Sequence, residues 1–356
     1  MAEIIGMGVT HHPGFLGPDE ELAGLLRRTL TSERVPARLR NPRNWPEPMQ
    51  KEWGRDEGRA AAAAHREHLM GDFRRVRARL DAFKPDFVVI WGDDQYEQFV
   101  EDCVPPFNVF ILDRFECQPF NHSSSVNPGT ANIWGEPVDK TFRFRGHVDG
   151  ASYLTQALIE SSFDVAYSYR VRQGQPLPHS FLNTIQYLDY DRRGFDHPIV
   201  PFHVNCYGST VIKSRGSVAH LFEDRHELRR DPISPLPSRC FDIGRATARV
   251  LRESPWRVAL IASSSWSHAF LTEKNGWLYP DEPADRRCYE ALREGRYEVF
   301  RDLDLKGIED AGQQEILNWV CLAGAMHELG SRVDFIDFVG SWIFNSNKVM
   351  ATFEPA

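Results

Sequence analysis

Residues 87–107, FVVIWGDDQYEQFVEDCVPPF, indicate the fold more clearly than any other stretch of the chain. The run begins apolar and β-branched and stops at Gly92, after which Asp93, Asp94 and Gln95 follow directly. This pattern is typical of a buried strand in a parallel sheet. Ligands of open α/β sheets bind beyond the carboxyl ends of the strands. The residues after Gly92 are therefore either part of a functional site or a carboxylate cap for the next helix.

Three other predicted strands also end in polar sequence. Their exits are residues 10–12 (THH), residues 172–175 (RQGQ) with His179 shortly after, and residues 263–268 (SSSWSH). Predicted helices alternate with these strands, so we expect an α/β fold whose central mixed or parallel sheet is flanked by helices. One shared pocket at the carboxyl ends of the strands explains four polar exits better than four coincidences do.

Composition restricts the classes of protein to consider. The 356 residues are 26% charged and 42% hydrophobic, with a formal net charge of −8. These values are ordinary for a globular protein and argue against a nucleic-acid-binding surface. The apolar runs are too short for a membrane helix and the N-terminus does not resemble a signal sequence, so we expect a cytoplasmic protein. Six scattered cysteines without a CxxC pair indicate neither a disulfide framework nor a zinc knuckle.

We expect one catalytic domain over residues 1–356, with two irregular segments. Residues 35–55 are rich in proline and tryptophan and are interpreted as an exposed flap or subunit contact, which favours a homo-oligomer. Residues 113–150 show little periodicity and are interpreted as a long ordered loop that covers a site. GxGxxG, Walker and GxSxG motifs are absent from the sequence, so dinucleotide binding, nucleoside-triphosphate binding and serine hydrolysis lack a positive signal.

The order of these segments resembles the class III extradiol ring-cleaving dioxygenases. The similar segments are residues 10–17 (THHPGFLG), 84–107, 241–268, 281–287 (DEPADRR) and 318–319 (NW). The resemblance implies a small catechol-like, and in some cases carboxylated, aromatic substrate that is opened with dioxygen. It also implies Fe(II) held by two histidines and one carboxylate, and a histidine base nearby.

The resemblance also implies roles for particular residues. The first metal histidine falls on His11, with His12 an equally placed alternative, and the second falls on Gln95. The metal glutamate falls at or beside Glu282. The histidine base falls on Gln173, and His179 could replace it from the next helix. Glutamine is a poor iron ligand, so the resemblance leaves the metal content of the site open.

Other polar residues complete the predicted site. We expect catalytic roles for His179, His268 and Asp94, and contacts with the substrate for Gln173, His203 and Arg286. Each has a structural alternative, since Asp94 could cap a helix, His203 could be a core residue and Arg286 could form a surface ion pair.

Three functions remain after this comparison. The first is an Fe(II)-dependent extradiol dioxygenase acting on a small aromatic diol. The second is an enzyme of the same fold that modifies carbon–carbon bonds without metal, using His179 or His268 as general acid or base. The third is a non-catalytic partner subunit.

Overall fold

The structure, a computed structural model, describes residues 2–121, 131–172, 177–208, 221–222 and 232–356. The strands of these residues are β1 Ile4–Val9, β2 Phe87–Gly92, β3 Phe107–Phe110, β4 Arg114–Cys117, β5 Phe142–Arg145, β6 Ala166–Ser168, β7 Ile199–Val204, β8 Val258–Ser263, β9 Val333–Val339 and β10 Lys348–Phe353. Their α-helices are α1 Gly24–Thr29, α2 Glu47–Trp53, α3 Arg59–Phe83, α4 Val148–Glu160, α5 His179–Leu188, α6 Pro237–Arg252, α7 Glu282–Arg293, α8 Glu298–Arg301, α9 Leu305–Asp310 and α10 Ile316–Leu329.

The main sheet is mixed, in the strand order β6-β3-β7-β2-β8-β1-β10-β9. Its centre, β7-β2-β8-β1, is parallel, while β3 joins β7 and β10 joins β1 in antiparallel pairs. The carboxyl ends of the four central strands therefore lie at one edge of the sheet. The expected α/β architecture with a central mixed sheet is confirmed.

Strand β2 shows why the sheet is covered on both faces. Phe87, Val89 and Trp91 pack into the apolar cluster formed with α4, α6 and α10. The alternate residues Val88 and Ile90 pack into the cluster formed with α3 and α5. Successive side chains of a strand point to opposite faces, so a continuous apolar run requires helices on both.

Residues 35–55 are anchored to the rest of the chain by their tryptophans and by Glu52. The Trp45 side chain is 3% exposed, and its ring lies 5.5 Å from that of Trp53. The Glu52 carboxylate accepts hydrogen bonds from the backbone N–H groups of Trp342 (2.6 Å) and Ile343 (3.1 Å). This segment therefore packs onto the turn that precedes β10, with Trp45 buried rather than exposed, and its role as a subunit contact stays a prediction.

Residues 113–150 are more regular than the sequence suggests. Strands β4 and β5 pair antiparallel, with Arg114 opposite Arg145 and Cys117 opposite Phe142. Each strand has only four residues, which is too short for a period-2 pattern to stand out. The interpretation as one long loop is wrong for these strands; residues 122–130 lie outside the described part of the chain.

A search of the described residues for membrane spans gives no helix that is both long and apolar enough to cross a bilayer. Five of the six cysteines are buried and Cys103 is exposed, and all six are free thiols.

Candidate metal centre

Three buried side chains converge at the carboxyl edge of the sheet. His11 follows β1, Asp93 follows β2, and Glu315 lies directly before α10. Nε2 of His11 is 3.8 Å from Oδ1 of Asp93 and 3.5 Å from Oε2 of Glu315. None of the three side chains is more than 2% exposed. They form a cluster with ligand spacing for a metal ion, within 4.8 Å of one another.

Backbone contacts fix the orientation of His11. Its Nδ1 lies 3.0 Å from the carbonyl oxygen of Ser263, at the end of β8. A carbonyl only accepts, so Nδ1 carries the proton and the Nε2 lone pair faces the two carboxylates. Metal-binding histidines commonly donate their second ring N–H in this way. Burial, together with the neighbouring His179 and His268, holds the pKa of His11 well below its ordinary value, so the ring is neutral.

His12 has a different role from its neighbour. Its Nδ1 accepts the backbone N–H of Gly14 at 3.1 Å and caps the short 3-10 turn Pro13–Leu16. The sequence made His11 and His12 equal candidates, and the structure brings only His11 into the cluster with Asp93 and Glu315.

The two carboxylates of the cluster lie close together in a buried site, where their negative charges are unfavourable. Burial raises the pKa of Asp93 to about 6, and burial with the Asp93 charge beside it raises the pKa of Glu315 well above its usual range. Oε2 of Glu315 is buried without a hydrogen-bond partner among the described residues. Two carboxylates in one desolvated site repel each other, and a bound cation relieves both the repulsion and the desolvation.

Amide and phenol donors hold these carboxylates in place. Nε2 of Gln95 lies 3.1 Å from Oε1 of Glu315 and 3.4 Å from Oδ2 of Asp93. The Tyr207 hydroxyl donates to Oε1 of Glu315, and Nδ2 of Asn318 donates to Oδ1 of Asp93 at 3.3 Å. Gln95 was predicted at a ligand position, and here its amide nitrogen serves as a donor to two ligand candidates. The structure therefore assigns to Gln95 an orienting contact.

Two more histidines border the cluster. The His179 ring lies 5.1 Å from that of His11 in an edge-on contact, and its Nδ1 is 2.9 Å from Oε2 of Glu97. Burial opposes the charged form of His179, but the Glu97 carboxylate, with Asp93 and Asp94 nearby, outweighs it and raises the pKa. Nε2 of His268 is 3.4 Å from Oε1 of Glu315, and burial lowers the pKa of His268 to about 3. The site thus combines His179, which is hydrogen-bonded to a carboxylate, with His268, which is neutral.

Other predicted site residues lie outside this cluster. Glu282, on α7, pairs with Arg286 at 3.1 Å, and both side chains are partly exposed, at 34% and 48%. The Arg286 guanidinium lies 3.8 Å from the centre of the Phe338 ring. These residues form a surface ion pair that the structure does not bring to His11.

The remaining predictions have mixed outcomes. Asp94 is buried and accepts the backbone N–H groups of residues 97, 98 and 99, which form a bend, since the described residues between β2 and β3 contain no helix. His203 is buried in β7, 4.6 Å from the Phe99 ring, and burial lowers its pKa to about 3. Gln173 lies outside the described residues.

Sequence reasoning missed Glu315 and Glu97. Glu315 lies three residues before the Asn318-Trp319 pair that resembled the family, so that pair was the nearest available signal. Glu97 lies two residues after Gln95, in the polar exit of β2. Glu97 and His179 are 82 residues apart in the sequence, so spacing gives no sign that they form a pair.

These residues fit a divalent cation. The donor set is one imidazole nitrogen and two carboxylates, and the unpartnered Oε2 of Glu315 is the atom that a cation would complete. Imidazole and carboxylate ligands suit iron, zinc and manganese. The set differs from the expected two histidines and one carboxylate because the position expected for the second imidazole is Gln95, an amide donor, and Asp93 supplies a carboxylate to the cluster instead.

The buried carboxylate of Asp285 holds together the segments around this centre by hydrogen bonds. Its carboxylate accepts the backbone N–H of Ser267 (3.1 Å), Nε2 of Gln313 (2.6 Å) and Nδ2 of Asn347 (2.7 Å). Ser267 lies next to His268, and Gln313 lies just before Glu315. Asn347 lies directly before β10. One buried side chain therefore joins three segments that surround the metal centre.

Replacing Asp285 by asparagine is expected to lower the free energy of unfolding by about 1–3 kcal/mol. The amide NH₂ of asparagine cannot accept hydrogen bonds, so at least one of the N–H donors that Asp285 accepts would be left buried without a partner. Burial raises the pKa of Asp285 to about 7, so the comparison belongs at about pH 8, where the carboxylate is ionised. Urea denaturation measures the difference. Asp281→Asn is the control, since asparagine caps α7 equally well and the change otherwise removes only a partly exposed ion pair with Lys274, worth about 0–1 kcal/mol. Equal losses in both variants would contradict this role of Asp285.

The fold and the cluster define an α/β protein with a buried histidine–carboxylate centre at the carboxyl edge of its sheet. Residues 233–347, which include His268 and Glu315, match the family model of the catalytic LigB subunit of aromatic ring-opening dioxygenase. This match, together with the relatives below, supports the class III extradiol dioxygenase superfamily, to which the chain is similar.

Curated relatives show the same similarity. The chain is 25% identical over 318 residues to a 2,3-dihydroxyphenylpropionate/2,3-dihydroxicinnamic acid 1,2-dioxygenase of Paraburkholderia phymatum, which covers 76% of this chain and 85% of the relative. A protein of the same name from Burkholderia vietnamiensis is 24% identical over 299 residues, with the same coverage. A Pseudomonas putida enzyme is 31% identical over 134 residues, which cover 37% of this chain and 35% of that protein.

Proposed function

We propose that the protein is an Fe(II)-dependent dioxygenase that opens the ring of a small catechol beside its two hydroxyl groups. The buried cluster of His11, Asp93 and Glu315 carries this proposal, because it places a metal-ligand set where α/β enzymes bind substrates. The named substrates of the relatives, 2,3-dihydroxyphenylpropionate and 2,3-dihydroxicinnamic acid, favour a catechol with a carboxylated side chain.

Iron held by His11, Asp93 and Glu315 would supply the transfer of electrons from the catechol to dioxygen. The protein's own part is to hold the ligands, exclude water and move protons. Gln95 and Tyr207 fix the Glu315 carboxylate through the hydrogen bonds described above. The near-complete burial of the cluster keeps these interactions in a low-dielectric environment, where they are stronger than in water.

His179 is the residue suited to accept a proton from a substrate hydroxyl. The Glu97 carboxylate accepts from Nδ1 of His179, which fixes the ring and leaves Nε2 to act as the base. This is the arrangement by which a carboxylate orients a catalytic histidine in other enzymes. His268, neutral and in contact with Glu315, is suited to donate or accept a second hydrogen bond at the reacting atoms.

His179→Asn is expected to lower kcat about a hundredfold, because general base catalysis contributes at least this factor. Glu97→Gln is expected to lower kcat about tenfold or more, since it removes the group that orients the base. Steady-state oxygen uptake measures both effects. His197→Asn is the control, because His197 pairs with Asp81 at 2.8 Å on the surface. If His179→Asn retained the full rate, His179 would not be the base.

Oxygen uptake by chelator-treated protein, before and after addition of Fe(II) or Mn(II), tests the proposed function. A panel of 1,2-diols with and without a carboxylated side chain is compared with the matching 1,3-diols, which cannot chelate a metal through adjacent oxygens. We expect uptake only with metal and only with 1,2-diols. No uptake across the panel would contradict the proposal, and turnover that persists after chelation and without oxygen would favour the metal-independent alternative. Homo-oligomer formation stays a prediction.

A further inference from the structure

A second cluster of metal-ligating side chains lies away from the active centre. His68 and Asp72 are on α3, and Asp337 is on β9. Nε2 of His68 is 2.5 Å from Oδ2 of Asp337 and 3.9 Å from Oδ2 of Asp72. One ligand atom from each residue lies within 4.8 Å of the other two. Residues four apart on a helix share a face, so His68 and Asp72 point together towards the strand.

The atoms of this cluster are incompletely satisfied. Asp72 is only 9% exposed, and its buried Oδ2 has no hydrogen-bond partner among the described residues. Asp337 presents a second carboxylate to the same space, and two adjacent carboxylates repel each other in a partly buried site. Arg75, on the same helix, packs 3.9 Å from the centre of the Phe335 ring. A cation between the two carboxylates would relieve the repulsion.

We propose that His68, Asp72 and Asp337 bind a divalent transition-metal ion, for which Zn²⁺ is the natural probe. One imidazole nitrogen and two carboxylate oxygens suit zinc, with water as the remaining ligand. The His68 side chain is 54% exposed, so the ion enters directly from solvent. This inference concerns stability and does not depend on the proposed ring cleavage.

The position of the site indicates what the ion does. Strand β9 is at the edge of the sheet and pairs with β10 alone among the described strands. An ion shared by α3 and β9 crosslinks the long helix to this edge. Because the ion binds only the folded arrangement of the three ligands, it stabilises the protein by mass action.

Zinc titration of the full chain, after removal of metal by a chelator, tests this site. The His11→Asn background removes the active-centre ligand, so the remaining tight zinc is assigned to the second cluster. We expect one equivalent of zinc and a rise in Tm in this background. Both should be lost on addition of His68→Asn, and equally on addition of Asp337→Asn, which changes the other element.

His197→Asn is the matched control, since His197 also pairs with an aspartate but belongs to no ligand cluster within the described part of the chain. It should retain the zinc equivalent and the Tm rise. Zinc binding that is unchanged by His68→Asn and Asp337→Asn would overturn the proposal. Absence of any tight zinc in the His11→Asn background would overturn it as well, and would mean that Asp72 and Asp337 share only a proton.

Discussion

Replacing Glu315 by glutamine is expected to lower the rate of ring cleavage about a thousandfold, because loss of a metal ligand removes several kcal/mol of transition-state stabilisation. Glutamine keeps the shape of the side chain and an oxygen acceptor, so the hydrogen bonds from Gln95 and Tyr207 remain available to it. What it lacks is the negative charge that binds a cation. Metal analysis and oxygen uptake on the same purified samples measure the effect.

The control for this change is Glu282→Gln. Glu282 stands at the position that the family resemblance assigned to the metal glutamate, but its carboxylate pairs with Arg286 on the surface. A surface ion pair contributes about 0–1 kcal/mol, so Glu282→Gln should retain metal and activity. If Glu282→Gln lost the metal and Glu315→Gln kept it, the assignment of the metal centre would be wrong.

Replacing His11 by asparagine is expected to abolish stoichiometric Fe(II) binding at the active centre and to lower ring cleavage about a thousandfold, because the transition state loses the same stabilisation by the metal. Asparagine can reproduce the Nδ1 donor to the Ser263 carbonyl, so the variant removes mainly the Nε2 ligand atom. The protein should therefore stay folded. Circular dichroism, metal analysis and oxygen uptake together separate loss of the ligand from loss of the fold.

The neighbouring substitution His12→Asn is the matched control. The Nδ1 atom of His12 accepts the Gly14 N–H, and an asparagine side-chain oxygen can accept the same bond. The His12→Asn variant should therefore retain the metal. His11→Asn should lose it, although both variants replace a histidine by an asparagine. Equal loss of metal in both would contradict the choice of His11 over His12.

The central strands could be predicted because their physical signal is local. Residues 87–91 are apolar without interruption, and the structure buries them from both faces. The polar residues that follow then lie at the carboxyl edge for a geometric reason that holds in all parallel sheets. The positions of His11, Asp93 and His268 at this edge could therefore be predicted from the sequence, although their contacts could not.

Strand β10 shows where a local signal fails. It begins with Lys348, which is fully buried and donates to the carbonyl oxygen of Phe344 at 3.0 Å. A lysine usually marks an exposed position, so the segment does not look like an inner strand. Burial lowers the pKa of Lys348 to about 7, and only the assembled fold creates this environment.

The position of the glutamate in the candidate metal centre required information that spacing does not contain. Glu315 reaches Gln95 across 220 residues of sequence, because α10 packs beneath the sheet near β8 and β1. The acidic start of α7 offered a similar pattern at Glu282, on a helix that faces solvent there. Both segments have an acid at a helix start, and tertiary packing alone decides which of them enters the site.

The amount of dioxygen consumed per catechol ring opened by the Fe(II)-loaded protein tests the central claim most directly. If His11, Asp93 and Glu315 hold the iron that ring cleavage requires, one molecule of dioxygen should disappear for each ring opened. Both changes should stop when a chelator removes the metal. Rings that open without consumption of dioxygen, or at an unchanged rate after chelation, would contradict the account.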